Sequence, residues 1–327
     1  MRSFYVINSG RFKRQDNTIV FIDYEEKKKT LPIEQIDDIH IFAEVDFNSS
    51  FFNLMSQHDI FVHMYNYYGY YSGSYVPRNK QVSGYVDVQQ AAHYLDDDKR
   101  IYLARRFIDG AVHHILRNLR RKKENTALAI QKILEEKRML ARVHQITELM
   151  GIEGRIRKIY YSAFNDLCKN PFFRFEKREK RPPTDPMNAL ISFGNGLLYT
   201  DVLRELYKTT INPTISFLHQ PTRKRYSLCL DVAEIFKPLI IDQLIFYLIN
   251  NRMLKDTHFD QVEGVCFLNE DGRKLFLSEY DKKMKTTVKH RKLNRNVSYK
   301  SFIRHEGYKL IKHFIGDEEY KPLKAWW

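Results

Sequence analysis

The sequence predicts an α+β protein: a small, sandwich-like N-terminal β domain followed by a larger, mainly α-helical domain. Three observations predict this. Up to about Tyr85 the chain alternates short β-branched or aromatic runs with polar turns. After about Val86 the apolar residues recur at three- and four-residue spacing. At 327 residues the chain also exceeds one average domain, so each half can bury its own core. The domains are expected at residues 1–85 and 95–327, joined by residues 86–94, where composition shifts without a Gly/Ser linker.

In the first half, "SFYVI", "TIVFID", "DIHIFAEVDF" and "IFVHMYN" read as strands, separated by "NSGRFKRQDN", "EEKKKTLP" and "SQHD". A short helix is predicted from Ser49 to Gln57, with Asn48 or Ser49 as its cap. "YNYYGYYSGSYVPR" suggests a hairpin with exposed tyrosines. In the second half, Ile101, Leu103, Ala104, Phe107, Ile108, Ala111, Ile115 and Leu119 form one helical stripe, and "TALAIQKILEEKRMLARV" and "TELMGIEGRIRKIYYSAFNDLC" continue the pattern. Asp185 followed by Pro186 is an N-cap with proline at the first helical position, opening a long helix. Pro238 is expected to kink the helix in "SLCLDVAEIFKPLIIDQLIFYLINN". "GVCFLNEDGRKLFLS" reads as a hairpin turning at Asp271-Gly272, and basic helical segments close the chain.

A formal charge of +14 points to a polyanionic partner, nucleic acid first and an anionic membrane surface second. Cys168, Cys229 and Cys266 are far apart and lack CxxC spacing, which argues against a disulfide framework or thiolate zinc site and fits a reducing cytoplasm. The N-terminus lacks a signal-peptide core, and "PLIIDQLIFYLI" is too short to span a membrane and contains Asp242.

One stretch concentrates chemistry: "FLHQPTRKRYSLCLDVAEIF", residues 217–236. Asp231 and Glu234 lie three apart, so on a helix both carboxylates project from one face and can ligate a hard divalent cation. The same spacing also suits two solvated acids in a first helical turn. His219 sits in the loop before them as a ligand, a proton shuttle or a plain hydrogen-bonding residue. Arg223, Lys224 and Arg225 are either a solvated basic turn or phosphate contacts that position a strand without reading bases. Glu153, between two glycines in "GIEGRIRKIYY", is the best third carboxylate, or else a charge neutraliser in a basic patch. Lys177, Arg178, Lys180 and Arg181 precede the Asp185 cap as a basic loop or a DNA contact. Periodicity does not choose among these readings.

The ordered motifs "GIEG…YY", "RPPTDPMNALISFGNGLLY" and "FLHQPTRKRYSLCLDVAEIFKP", with the N-terminal "IDDIHIFAEVDFNSSFFNLMSQHDIFVHMYNYYGYYSGSYVPR", resemble the Cas-one family, the CRISPR-associated endonuclease/integrase of spacer acquisition. The resemblance covers nearly the whole chain. It implies a metal site of Glu153, His219 and Glu234 binding Mg²⁺ or Mn²⁺, with Asp231 as an assisting acid and Arg178, Arg181, Arg223, Lys224 and Arg225 as DNA contacts. Lys224 departs from relatives that carry a small residue between two basic ones. The implied reaction joins the 3′-OH ends of a protospacer to CRISPR repeat DNA by transesterification.

The implied partners are double-stranded DNA, a second copy through the β domain, and a dimer of the small Cas-two protein in a heterohexamer; no membrane is involved. The hairpin around Tyr67 to Tyr75 would add to the dimer surface or stack on DNA, and basic residues 285–313 would either extend the DNA surface or form a solvated tail. Tyr160 and Tyr161 invite a tyrosine-recombinase reading, but the metal constellation accounts for phosphoryl chemistry without a protein nucleophile. Competing functions are a stand-alone nuclease acting on branched DNA and a non-catalytic DNA-binding scaffold.

Overall fold

A computed structural model describes all residues except 1, 79–80, 175, 180–181, 222–225 and 292. The N-terminal strands are β1 (Arg2–Val6), β2 (Gly10–Gln15), β3 (Thr18–Asp23), β4 (Lys28–Pro32), β5 (Ile36–Ile41), β6 (Val45–Asp46), β7 (Phe61–Tyr65) and β8 (Tyr71–Tyr75), with α1 (Ser49–Gln57) between β6 and β7. They form two four-stranded sheets, ordered β1-β5-β7-β8 and β4-β3-β2-β6. Phe12, Ile19 and Leu31 of the second sheet share a core with Val6, Ile39, Ile41 and Val62 of the first and with Phe51 and Leu54 of α1. The cap of α1 is Asn48, whose side chain accepts from the Phe51 amide.

Two segments expected as turns are strands. In β2, Phe12 is buried while Arg11 and Lys13 face out, the alternation of a half-buried strand that a charge-rich composition hides. Lysines of β4 lie on an exposed sheet edge, where charge discourages pairing with another chain.

The second half contains α2 (Gly84–Leu95), α3 (Asp97–Arg120), α4 (Lys123–Met139), α5 (Ile146–Ser162), α6 (Phe164–Leu167), α7 (Pro186–Tyr207), α8 (Ser227–Phe236), α9 (Asp242–Asn250), α10 (Glu270–Lys285) and α11 (Tyr299–Phe314). Two hairpins interrupt the helices, β9 (Phe259–Val262) with β10 (Val265–Leu268), and β11 (Thr287–Lys289) with β12 (Asn296–Ser298). Residues 86–94, expected to connect the halves, lie inside α2, which Ser83 caps and which packs on α3 and α11. The expected turn at Asp271-Gly272 is corrected: the hairpin turns at Glu263-Gly264, both at positive φ, and Asp271-Gly272 belongs to the first turn of α10, where Asn269 accepts from the Gly272 amide.

Helix α7 is buried nearly all round and forms the centre of the helical domain. Asp185 caps it, accepting from the Asn188 amide, and Pro186 opens it. Gly194 gives it close approach to the next layer, since a Cβ there would sit 2.6 Å from the Ile241 side chain. That neighbour belongs to a π-helical turn, Lys237–Ile241, which joins α8 to α9 at Pro238, where the ring removes a backbone donor. Two buried side chains of α3 serve carbonyls at this break. Asn118 donates to Pro238 O at 2.7 Å, and His114 Nδ1 lies 2.9 Å from Ile235 O. Burial drives the His114 pKa down to about 3, so the ring is neutral.

The two halves meet at an ion network. Arg204 of α7 is fully buried and pairs with Asp38 of β5, with Asp201 at 2.8 Å, with Glu205 at 2.9 Å and with Asp37 at 3.2 Å. Lys300 reaches Asp37 at 3.4 Å and Arg304 reaches Glu205 at 2.7 Å. These two cations of the basic segment 285–313 are therefore paired with acids of this network, Lys300 largely buried and Arg304 half-buried. At the tip of the β7–β8 hairpin, Tyr67 is exposed, while Tyr65 is buried and Tyr71 half-buried; Tyr67 and Tyr68 also stand edge-on to Phe267 of β10.

Candidate metal centre

His219 lies in the loop that enters α8, and Asp231, one turn into that helix, organises the loop. Asp231 is fully buried and accepts from the amides of Phe217 at 2.7 Å, Leu218 at 3.0 Å and His219 at 3.0 Å. Its Oδ1 also lies 2.7 Å from His219 Nδ1. The loop backbone and the imidazole are thus fixed by one carboxylate, whose two oxygens are occupied. A ring held through Nδ1 presents Nε2, the arrangement by which an outer carboxylate orients a metal-binding histidine. Burial opposes charge on His219, but the Asp231 hydrogen bond and the nearby Asp231 and Glu234 charges outweigh it and raise the pKa.

Glu153 of α5 and Glu234 of α8 come together through Arg157. The i,i+4 spacing on α5 lets Arg157 Nε donate to Glu153 Oε1 at 3.1 Å, while its other end bonds Glu234 Oε2. Lys237, three residues after Glu234, bonds the remaining Glu234 oxygen. Burial would raise the Glu234 pKa, but Arg157 and Lys237 hold it well below the usual carboxylate range. The Arg157 pKa is correspondingly raised: burial opposes its charge, and Glu234 leads the groups that prevail over it.

The structure therefore gathers Glu153, Glu234 and their bridging arginine on one side and His219 with Asp231 on the other. The ligand atoms of Glu153, His219 and Glu234 do not converge within 4.8 Å of one another. A monovalent cation already stands between the two acids. The donor set, one anchored imidazole and two carboxylates, fits a divalent ion once Arg157 and Lys237 release Glu234.

Asp231 sits behind the histidine, with every hydrogen bond named above directed into the protein. Arg178 is half-buried against the start of α7, donating to Asn188 Oδ1 at 2.8 Å and Ser192 Oγ at 2.9 Å. Arg181, Arg223, Lys224 and Arg225 lie outside the described residues. Sequence reasoning passed over Arg157, Lys237 and Asp242. The first two were signalled by their i+4 and i+3 spacing from Glu153 and Glu234. Asp242 is buried beside Tyr160, and burial raises its pKa to about 7. Tyr160 is itself fully buried and accepts from Asn118 Nδ2 at 2.9 Å, the place of a packing residue.

No helix among the described residues is long and apolar enough to cross a membrane. The three cysteines are unpaired. A family profile described as "CRISPR associated protein Cas1" matches residues 4–282. The chain is 55% identical over 328 residues to a protein named CRISPR-associated endonuclease Cas1 from Clostridium perfringens, covering 100% of this chain and 99% of the relative. It superposes on the solved Cas1 protein of Thermotoga maritima with a TM-score of 0.90 at 37% identity, covering 98% of this chain and 100% of that one. A casposase bound to its integration product shares the fold, with a TM-score of 0.87 at 17% identity over 99% of this chain and 94% of that one. With a profile matched across most of its length and a relative more than half identical from end to end, the chain belongs to the CRISPR-associated Cas1 family.

Proposed function

We propose that this chain is a metal-dependent DNA endonuclease and integrase of CRISPR adaptation that joins the 3′-OH ends of a DNA fragment to repeat DNA. The observation that carries this reading is the Asp231–His219 pair within reach of the Glu234 charge, with Glu234 and Glu153 already sharing a cation. Glu153, His219 and Glu234 would hold the ion. Bound there, Mg²⁺ or Mn²⁺ would polarise the phosphoryl oxygens and offset the charge that builds on the attacked phosphate.

The chain's own residues have three tasks. Asp231 keeps the imidazole in one tautomer and one orientation. Arg157 and Lys237, acting against burial, keep the Glu234 carboxylate ionised and ready as a ligand. Released from Glu234, Arg157 and Lys237 become cations at the edge of the site, where a phosphodiester needs neutralising. In the reaction the attacking 3′-oxygen gains the phosphorus bond and loses its proton, while the displaced 3′-oxygen of the repeat strand leaves and takes one up.

The same reading proposes double-stranded DNA as substrate, pairing of two copies through the β domain, a Cas-two dimer as partner, and a cytoplasmic setting. The net charge of +14 supports a polyanionic substrate.

The test is strand transfer of a 3′-OH duplex into a supercoiled repeat-bearing plasmid with Mn²⁺ or Mg²⁺, with and without the Cas-two partner. Metal-dependent joining is expected and is lost in His219→Ala while DNA binding persists. Cleavage without joining, even with the partner, would reduce the function to a nuclease. Tight binding with neither activity would leave a scaffold.

A further inference from the structure

A second cluster of ligand-type side chains lies in the N-terminal sheet, away from the centre described above. Asp38 and His40 are two apart on β5 and therefore share a face of the strand. His63 on β7 is the register partner of His40, and the two rings lie 4.9 Å apart. All three side chains are buried, at 0%, 1% and 0% exposure in sequence order.

Each brings one atom without a hydrogen-bond partner: Asp38 Oδ1, His40 Nε2 and His63 Nε2. These residues can offer ligand atoms that all lie within 4.8 Å of one another, and theirs is the one such group found among the described residues. Three buried polar atoms left without partners at one place are costly unless something joins them.

A chain of hydroxyls behind His40 fixes which of its nitrogens carries a proton. Thr200 gives its one hydroxyl proton to Leu197 O at 2.8 Å, so at 3.0 Å from Tyr65 it must accept. Tyr65 spends its proton there and must in turn accept from His40 Nδ1 at 2.9 Å. The His40 proton that this chain requires therefore sits on Nδ1, and a ring carrying that proton alone offers its Nε2 lone pair to the cluster. His63 has the same outer support, with Nδ1 at 2.6 Å from Ser74 Oγ, and Ser74 bonds Tyr71 Oη at 2.8 Å. An imidazole anchored through its outer nitrogen by a hydroxyl is how proteins aim histidines at metals.

We propose that Asp38, His40 and His63 bind one transition-metal ion, zinc by preference, which fastens strand β5 to strand β7 beside helix α7. Two imidazoles with one carboxylate suit zinc and disfavour Mg²⁺, which takes oxygen ligands. Tetrahedral ligands around zinc stand about 3.3 Å apart, so the three side chains close in by at most about 1.5 Å. Arg204 bonds the other oxygen of Asp38, Oδ2, and so leaves Oδ1 for the ion. The site therefore adjoins the ion network between the halves. The one alternative within the cluster is a second proton on His40, whose Nε2 is 3.5 Å from Asp38 Oδ2.

The experiment uses the untagged full-length chain purified without chelator. Elemental analysis is expected to find one zinc per chain in the wild type and in His219→Ala, and none in His63→Gln. After chelation, zinc restored at about a hundredfold excess over its Kd raises Tm by about 4 °C. Cobalt(II) in its place gives the intense visible bands of a tetrahedral site, in the wild type and in His219→Ala alike, a readout that stands even if His63→Gln fails to fold. A folded wild type that holds no transition metal and gains no Tm from zinc or cobalt overturns the proposal in favour of the protonated His40–Asp38 pair. Zinc that is lost in His219→Ala but kept in His63→Gln overturns it as well, by assigning the ion to the other centre.

Discussion

His219 Nδ1 lies 2.7 Å from Asp231 Oδ1, and the same carboxylate accepts the backbone amide of His219 at 3.0 Å. One buried acid thus fixes both the ring and the chain that carries it. Asp231→Asn replaces one accepting oxygen with an amide that can only donate, and that amide faces N–H groups. The expected result is a folded protein whose activity falls about 10- to 100-fold, with a raised Mn²⁺ requirement. Metal titrations of strand transfer, with circular dichroism to verify folding, check this. Unchanged metal dependence with reduced activity would make Asp231 a loop-holding residue only.

Arg157 predicts a metal-linked stability. It is buried between Glu153 and Glu234, and Arg157→Met leaves Glu234 with Lys237 alone. Breaking such a buried pair costs about 3–5 kcal/mol. Mn²⁺ would then replace the missing charge, so the variant should gain more Tm from added Mn²⁺ than the wild type does. Thermal melts with and without Mn²⁺ decide it; an equal gain in both proteins would mean the ion does not enter between these acids.

Tyr160 tests the rejected tyrosine chemistry. Its hydroxyl accepts from Asn118 in a fully buried setting, and burial raises its pKa well above the ordinary value. A nucleophile needs the opposite, an exposed and activated oxygen. Tyr160→Phe should keep strand transfer within about twofold while losing about 1 kcal/mol of stability from the hydrogen bond. Loss of joining in a variant that still folds and binds DNA would reopen that chemistry.

The elements legible in the sequence were those with local signatures. Asn48 ahead of α1, Asp185-Pro186 ahead of α7, and Pro238 at the π-helical turn each act within a few residues, and each appears where its chemistry requires. Asp271-Gly272 misled because a turn dipeptide also fits a helix start once Asn269 caps it. The strands β2 and β4 were hidden because lysine and arginine on a solvent face do not disturb a strand whose other face is buried.

For the candidate centre, spacing within α5 and α8 was readable, whereas the reach of Arg157 from one helix to the other was not. The Asp38–His40–His63 cluster was still less so, because it depends on the register between β5 and β7, which no periodicity reports. Lys300 and Arg304 likewise read only as part of a basic segment, DNA surface or solvated tail, and their pairing with Asp37 and Glu205 depends on the fold.

Asp242 makes stability depend on pH in a direction opposite to most carboxylates. Burial raises its pKa from the ordinary 3.8 to about 7, with Arg157, the Tyr160 hydroxyl and Lys237 offsetting only part of that rise. Between those two pH values the folded chain holds a proton that the unfolded chain has released. Stability from this group is therefore complete below the unfolded value, falls as pH rises through the window, and levels off above about 7. Three pH units correspond to a cost of up to about 4 kcal/mol at pH 8. Asp242→Asn keeps the shape and removes the charge, so it should be more stable than the wild type at pH 8, by less at pH 6, and equal to it below pH 4. Urea unfolding of both proteins at these pH values measures the difference. A gap that stays constant with pH would show that Asp242 is ionised throughout, held so by Arg157 and Lys237.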